Sequence, residues 1–304
     1  MSLASKKPYI ELITGSVVFG MLGIFVDLLD AIPTLPMIFY KQLFGVVSLL
    51  IFIIITGRMA LIVPRKKKRY LLLLGLINTT TILTYFTCIR YTSFSVAILM
   101  LYTAPIYITL LSPLVLKEEI TKKGIVALVF SLIGLLFIVD PVTTFRQFYN
   151  GNGYIIGIAA GILSGFSFGS EIMTIRYIRD AYSSAAQLFW YTLIGVILLL
   201  PFAGGVSQPV LYGNMGMLAL FGVVNTALAA LLYVDGISKI KAQTGSILAL
   251  LEPVSGIFFD YTVIHTPLFL NTIIGCIFIL MGAALAVMEK SPRLFGKYFR
   301  IGPG

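Results

Sequence analysis

Ten apolar runs of roughly 20 residues follow one another along this chain, at 10–29, 36–56, 70–88, 93–116, 124–139, 153–173, 185–202, 213–234, 245–264 and 268–288. That is the length an α-helix needs to cross the hydrocarbon core of a bilayer. Every backbone N–H and C=O in lipid has to be satisfied by the protein itself, so a span is a helix or a strand of a closed barrel. Runs this long and continuous are helical. With 59% hydrophobic and 11% charged residues and a mean hydropathy of +1.00, a separate soluble domain has no sequence left to build it. The expected class is an all-α polytopic membrane protein. The first run is too long for a signal-peptide core and lacks a small-residue cleavage pattern, so it is expected to stay as a span.

The net charge of +10 is distributed in short runs between the apolar segments. A nucleic-acid binder gathers its Lys and Arg on one folded face, so no nucleic-acid partner is expected. Membrane orientation accounts for the charges instead. With a cytoplasmic N-terminus, nineteen Lys and Arg fall on inner segments, the run Arg65-Lys66-Lys67-Lys68-Arg69 among them. Only Arg90 and Arg146 fall on outer ones. By the positive-inside rule both termini face the cytoplasm, and the expected location is the cytoplasmic membrane.

The stretch from Ala97 to Val139 carries Pro105, Pro113 and Gly134, and it recurs near the C-terminus. A shift of 148 positions lays Pro253 on Pro105, Gly282 on Gly134 and Tyr233 on Tyr85. Asn225 falls near Asn78, Gly222 near Gly75, Phe189 near Phe39 and Gly195 near Gly45. Five spans per copy is an odd number, so the second copy lies upside down relative to the first, as in secondary transporters with inverted repeats. The expected organisation is a first five-helix repeat over 1–140, an outer linker over 141–152, a second five-helix repeat over 153–290 and a basic cytoplasmic tail over 291–304.

Pro105, the turn Glu118 with Ile120 and Thr121, Gly134, and Leu250-Leu251-Glu252-Pro253 together give the chain a family likeness. It resembles a ten-helix member of the drug/metabolite transporter superfamily, built of two EamA-type units. It departs from that pattern at His265-Thr266-Pro267, where a Gly-Glu turn is usual, and at Lys41, where Arg is commoner. The resemblance implies a carrier for a small organic metabolite, often an exporter, with its cavity between the halves.

An ionisable group deep in a span marks a functional site by default, and Glu252 is the deepest. It is a candidate for a proton-coupling or substrate-ammonium site, or for a structural carboxylate held by neighbouring helices. Asn78, Thr81, Tyr85 and Cys88 fall on one face of the third span. That face suits a water-filled cavity or interhelical hydrogen bonds, with Asn78 and Asn225 facing each other across the pseudo-twofold axis. Tyr102 and Trp190, with Phe189 and Tyr191, supply aromatic surface, and Lys41 a positive charge in the outer third of the membrane. Glu252 and Lys41 together suit the two ends of a zwitterion. The aromatics also suit interface anchoring, and Lys41 also suits snorkelling or a pair with Asp27 or Asp30.

Pro105 and Pro253 each remove a backbone donor and are expected to bend their helices. Gly153, Gly157, Gly161, Gly165 and Gly169 form a small-residue stripe for close helix packing. Glu118 and Glu119 read as a solvated charge cluster; Glu11, Glu171 and Asp235 read as interfacial. His265 has no second ligand nearby, so no metal site is expected, and the two cysteines imply no disulfide framework. No nucleophile and base constellation is visible, so no catalytic residue is assigned and an enzyme is not expected. No cofactor is called for, and no Gly-x-x-x-x-Gly-Lys-Ser/Thr loop marks use of ATP. The expected function is secondary transport of an amino acid or similar zwitterionic or neutral metabolite, in the direction of export, with protons as the candidate coupling ion. The alternatives are a carrier of nucleotide-linked or phosphorylated metabolites, which calls for more basic residues than Lys41, and a non-transporting membrane scaffold.

Overall fold

A computed structural model describes residues 3–64, 66–139 and 153–288. The linker over 141–152 and the tail over 291–304 lie outside the described residues. Ten helices are long and apolar enough to cross a membrane: α1 Lys6–Leu28, α2 Thr34–Ile55, α3 Lys68–Tyr91, α4 Phe94–Val115, α5 Lys122–Val139, α6 Tyr154–Tyr177, α7 Ser184–Phe202, α8 Gln208–Lys239, α9 Ala242–Ile264 and α10 Leu270–Val287. The protein is an all-helical, multi-pass membrane protein. The span most extended beyond its apolar run is α8. Pro209 in its first turn suits a position where the missing N–H costs nothing, and an Asp235 to Lys239 pair one turn apart holds its last turn.

Beside an interruption of α1 between Phe19 and Leu22, two spans are discontinuous at matching places. α4 is made of the helices Phe94–Leu101 and Ala104–Val115, and α9 of Ala242–Ala249 and Leu251–Phe259. Pro105 and Pro253 stand just after these breaks. Each proline has no N–H for the carbonyl four residues earlier, at Leu101 and Ala249, and its ring crowds that carbonyl. A further irregularity is a π-helical stretch, Gly222–Ala229, in the middle of α8. It carries Asn225, and such bulges cluster at functional sites.

The two halves interlock. α1 packs on α8 and α6 on α3, each a helix of one half against a helix of the other. Glycine makes these approaches possible. A Cβ at Gly15 of α1 would stand 2.7 Å from the Tyr233 backbone nitrogen of α8, and one at Gly161 of α6 would stand 2.8 Å from Cys88 Sγ of α3. Further along the α6 stripe, Gly165 lies against the Met100 carbonyl and the Thr103 hydroxyl of α4. Between α5 and α10 the pseudo-twofold relation is visible in single residues. Gly134 faces Gly275 and Ile279, while Gly282 faces Ala127 and Ser131, and the shift of 148 converts one set into the other.

The largest core cluster joins Leu12, Leu74, Ile108, Ile172, Leu188, Ile237 and Leu248 from seven spans, at the end of the bundle that carries the Lys and Arg runs. Toward the opposite end the core divides. Phe25, Leu29, Ile32, Leu218 and Phe221 form one cluster, and Cys88, Val96, Ala97 and Ala160 another. The largest shared cluster thus lies toward the basic end, and smaller separate ones lie toward the other.

Candidate functional site

The breaks in α4 and α9 meet near the middle of the bundle, where Tyr102 and Leu250 share a hydrophobic cluster. Glu252 belongs to the first turn of the second half of α9. That turn has N–H groups without intrahelical partners and the positive end of the half-helix dipole. The break in the helix therefore creates the one kind of place inside an apolar span where a carboxylate is welcome. Glu252 also interacts with the Tyr102 hydroxyl and with the Lys41 ammonium. Tyr85 and Tyr233 lie within its electrostatic reach.

Lys41 stands two turns into α2. Its ammonium donates a hydrogen bond to Asn225 Oδ1 at 3.2 Å and lies 4.8 Å from the centre of the Phe221 ring. The π-helical stretch of α8 brings both groups to it, since Asn225 lies inside that stretch and Phe221 immediately precedes it. Neither Lys41 nor Glu252 is fully buried, although both lie among helices rather than at a helix end. Opposite charges, each partly exposed among the helices, make a polar patch in the interior of the bundle whose groups suit both ends of a small molecule. Asp27 and Asp30 are not the Lys41 partners; Asn225 is.

The remaining candidates separate. Tyr85 and Tyr102 join Glu252. Trp190 does not: its indole Nε1 donates to the Ile62 carbonyl at 2.7 Å, which ties α7 to the connection between α2 and α3. Asn78 and Asn225 do not face each other. Asn78 Nδ2 lies 3.2 Å from both carboxylate oxygens of Glu171 in α6. The interlocked packing is the reason, because it puts α6 beside α3 and α2 beside α8, so each asparagine meets its own neighbour. The scaffold is symmetric and the charges are not: Asn78 serves an acid and Asn225 a base.

Glu171 corrects the sequence reading. It is 8% exposed, not interfacial, because α6 runs on to Tyr177 and α3 covers that turn. Glu118 likewise is no free surface charge. It pairs with Arg176 and accepts the Ala242 N–H at 2.7 Å, while Arg176 donates to the Ile237 carbonyl at 3.0 Å. With Lys239 lying 3.6 Å from Glu11 and paired with Asp235, these bonds clasp α1, α6, α8 and the turns beside them at the basic end. No group of three metal-ligating side chains occurs among the described residues.

The EamA-like transporter family matches this sequence twice, over residues 6–140 and again over 155–288. The chain belongs to the EamA-like transporter family. An uncharacterized transporter of Archaeoglobus fulgidus is 29% identical over 282 residues, which is 91% of this chain and 95% of that one. The uncharacterized transporter YxxF of Bacillus subtilis is 23% identical over 96% of this chain and 94% of its own. A crystal structure of another protein, 15% identical, superposes with a TM-score of 0.77 over 92% of this chain and 98% of its own, which shows a shared fold. Each match of the EamA-like family takes in one of the two matching breaks, that of α4 or that of α9, so the paired breaks of this transporter are a property of the repeat. The Lys41 and Glu252 charges stand on one copy each: the 150-residue shift that lays Phe189 on Phe39 puts Tyr191 at the place of Lys41, and the 148-residue shift puts Ala104 at the place of Glu252.

Proposed function

We propose that this EamA-like transporter is a secondary carrier that exports a small zwitterionic metabolite of the amino-acid type across the cytoplasmic membrane by alternating access. The observation that carries the reading is the pair Lys41 and Glu252, opposite charges set in a polar interior beside two broken helices. Glu252 and the tyrosine faces of Tyr85 and Tyr102 suit a substrate ammonium, and the Lys41 ammonium, steadied by Asn225, suits a substrate carboxylate. A nucleotide-linked or phosphorylated substrate needs several cations converging on it, and among the described residues Lys41 is the basic group that acts on Glu252. Alternating access is supported by the inverted repeat and by the matching breaks of α4 and α9. The positive-inside rule assigns the basic end to the cytoplasm, and export follows the family resemblance.

The test is thermal unfolding of the purified protein in detergent against amino acids, amines, nucleotides and phosphorylated sugars. A ligand that binds the folded state stabilises it by RT ln(1 + [L]/Kd). Zwitterionic amino acids should raise the midpoint, and Lys41→Met and Glu252→Gln should each remove the rise while leaving the unliganded protein folded. A rise given by phosphorylated compounds and not by zwitterions would overturn the substrate class.

A further inference from the structure

Glu171 is the buried acid that the substrate site does not use. It stands six residues before the end of α6 at Tyr177, about 9 Å along the axis, beside Ile172 and Met173 of the largest core cluster. Among the described residues its carboxylate meets a single hydrogen-bonding group, the Asn78 amide, at 3.2 Å from each oxygen. The groups around it come from every neighbouring helix. Tyr191 of α7 and Tyr233 of α8 lie within its electrostatic reach, and Tyr233 is in turn within reach of Glu252 of α9. On α4, Tyr102 faces Glu252 and Tyr107 packs on Phe166. On α3, Tyr70 packs at a tilt against Tyr177, with Arg69 over its ring. On α6 itself, Arg176 is taken by Glu118, and on α8 Lys239 is taken by Asp235 and Glu11.

The cations of this region are therefore engaged elsewhere. Glu252 lies in the first turn of a half-helix, where the helix dipole favours negative charge, whereas Glu171 lies more than a turn from either end of α6 and has no such support. A buried carboxylate with one neutral donor and no cation is the arrangement an apolar interior tolerates least. A positive charge must come from outside the described residues, and a group that is 8% exposed with an amide across both oxygens has little room for an organic or hydrated cation. A proton needs none. Within its electrostatic reach, Tyr233 is 6% exposed, and its buried hydroxyl has no hydrogen-bond partner among the described residues. It stands between the two acids as an unused donor and acceptor.

We propose that Glu171 is a proton site of the transporter, separate from the Lys41 and Glu252 pair. One proton from water adds to one carboxylate oxygen of Glu171 and later returns to water, and only this O–H bond forms and breaks. Tyr233 lies between this site and Glu252, and α6 carries both Glu171 and, five residues on, the Arg176 of the basic-end clasp. This inference goes beyond the substrate reading and does not depend on it.

The experiment is infrared difference spectroscopy of the protein reconstituted in lipid, compared across the neutral pH range. The wild type should show a carboxylic-acid C=O band that disappears as pH rises. Glu171→Gln should lack that band and Glu252→Gln should keep it. Glu171→Asp retains an acid, so it should keep a band with a displaced midpoint, and it gives the answer if the Gln variant does not fold. A band that survives Glu171→Gln, that is absent from the wild type, or that never changes with pH overturns the proposal. An error in the substrate class would show instead as missing ligand-induced unfolding shifts with the band intact.

Discussion

Single residues in this transporter are placed by the charge each can find. Glu118 is the clearest case, since it neutralises the Arg176 guanidinium, whose side chain is 5% exposed, and caps the Ala242 N–H. Removing one member of a buried pair strands the other. Glu118→Ala should therefore lower unfolding stability in detergent by about 3 kcal/mol or more, and Glu118→Gln by less, because its amide oxygen still accepts from Ala242. The two asparagines should separate in the same assay. Asn225→Leu unfixes Lys41 and should remove the ligand-induced rise in midpoint. Asn78→Leu leaves Glu171 without its donor and should cost about 1–3 kcal/mol while the ligand-induced rise persists.

At the scale of helices, glycine positions decide which faces meet. Gly165→Ala would drive a Cβ into the Met100 carbonyl and Thr103 hydroxyl of α4, whereas a Cβ at Gly213 of α8 meets nothing within 4 Å. Overpacking of this kind costs about 1–3 kcal/mol, so the first variant should unfold earlier and the second should match the wild type in a thermal scan. The α6 stripe was legible in the sequence as a contact face, as were the ten spans and the paired prolines, because each depends on spacing along one helix. The partner of a face was not. Nothing in the sequence around Glu171 says that α3 covers it, and nothing around Trp190 says that its indole reaches Ile62, because both follow from how helices distant in sequence come together. Lys41 and Glu252 could be singled out because a charge inside a span is conspicuous by itself. The tyrosines around them are common residues in a membrane chain and gained meaning only from position.

For the whole molecule, the uneven core gives a direction to the bundle, and orientation can be checked independently of transport. Cys88 is buried and Cys276 half-buried. With both replaced by alanine, a single cysteine at Arg58 should react with a membrane-impermeant maleimide only after cells are opened, and one at Gly205 should react in intact cells. The reverse pattern would turn the protein over in the membrane and with it the assignment of the basic end.

The packing of α1 on α8 and of α6 on α3 has a consequence for biosynthesis. As the ribosome releases the first five spans, the glycine face of α1 and the α3 face that meets the α6 glycines have no helix against them, and lipid tails must fill the grooves until the later spans arrive. Assembly is then a late event that waits for nearly the whole chain, rather than the stepwise docking of one finished half onto another. Two separately translated halves, cut within 141–152, should still find each other when made in the same cell, and either half made alone should be degraded.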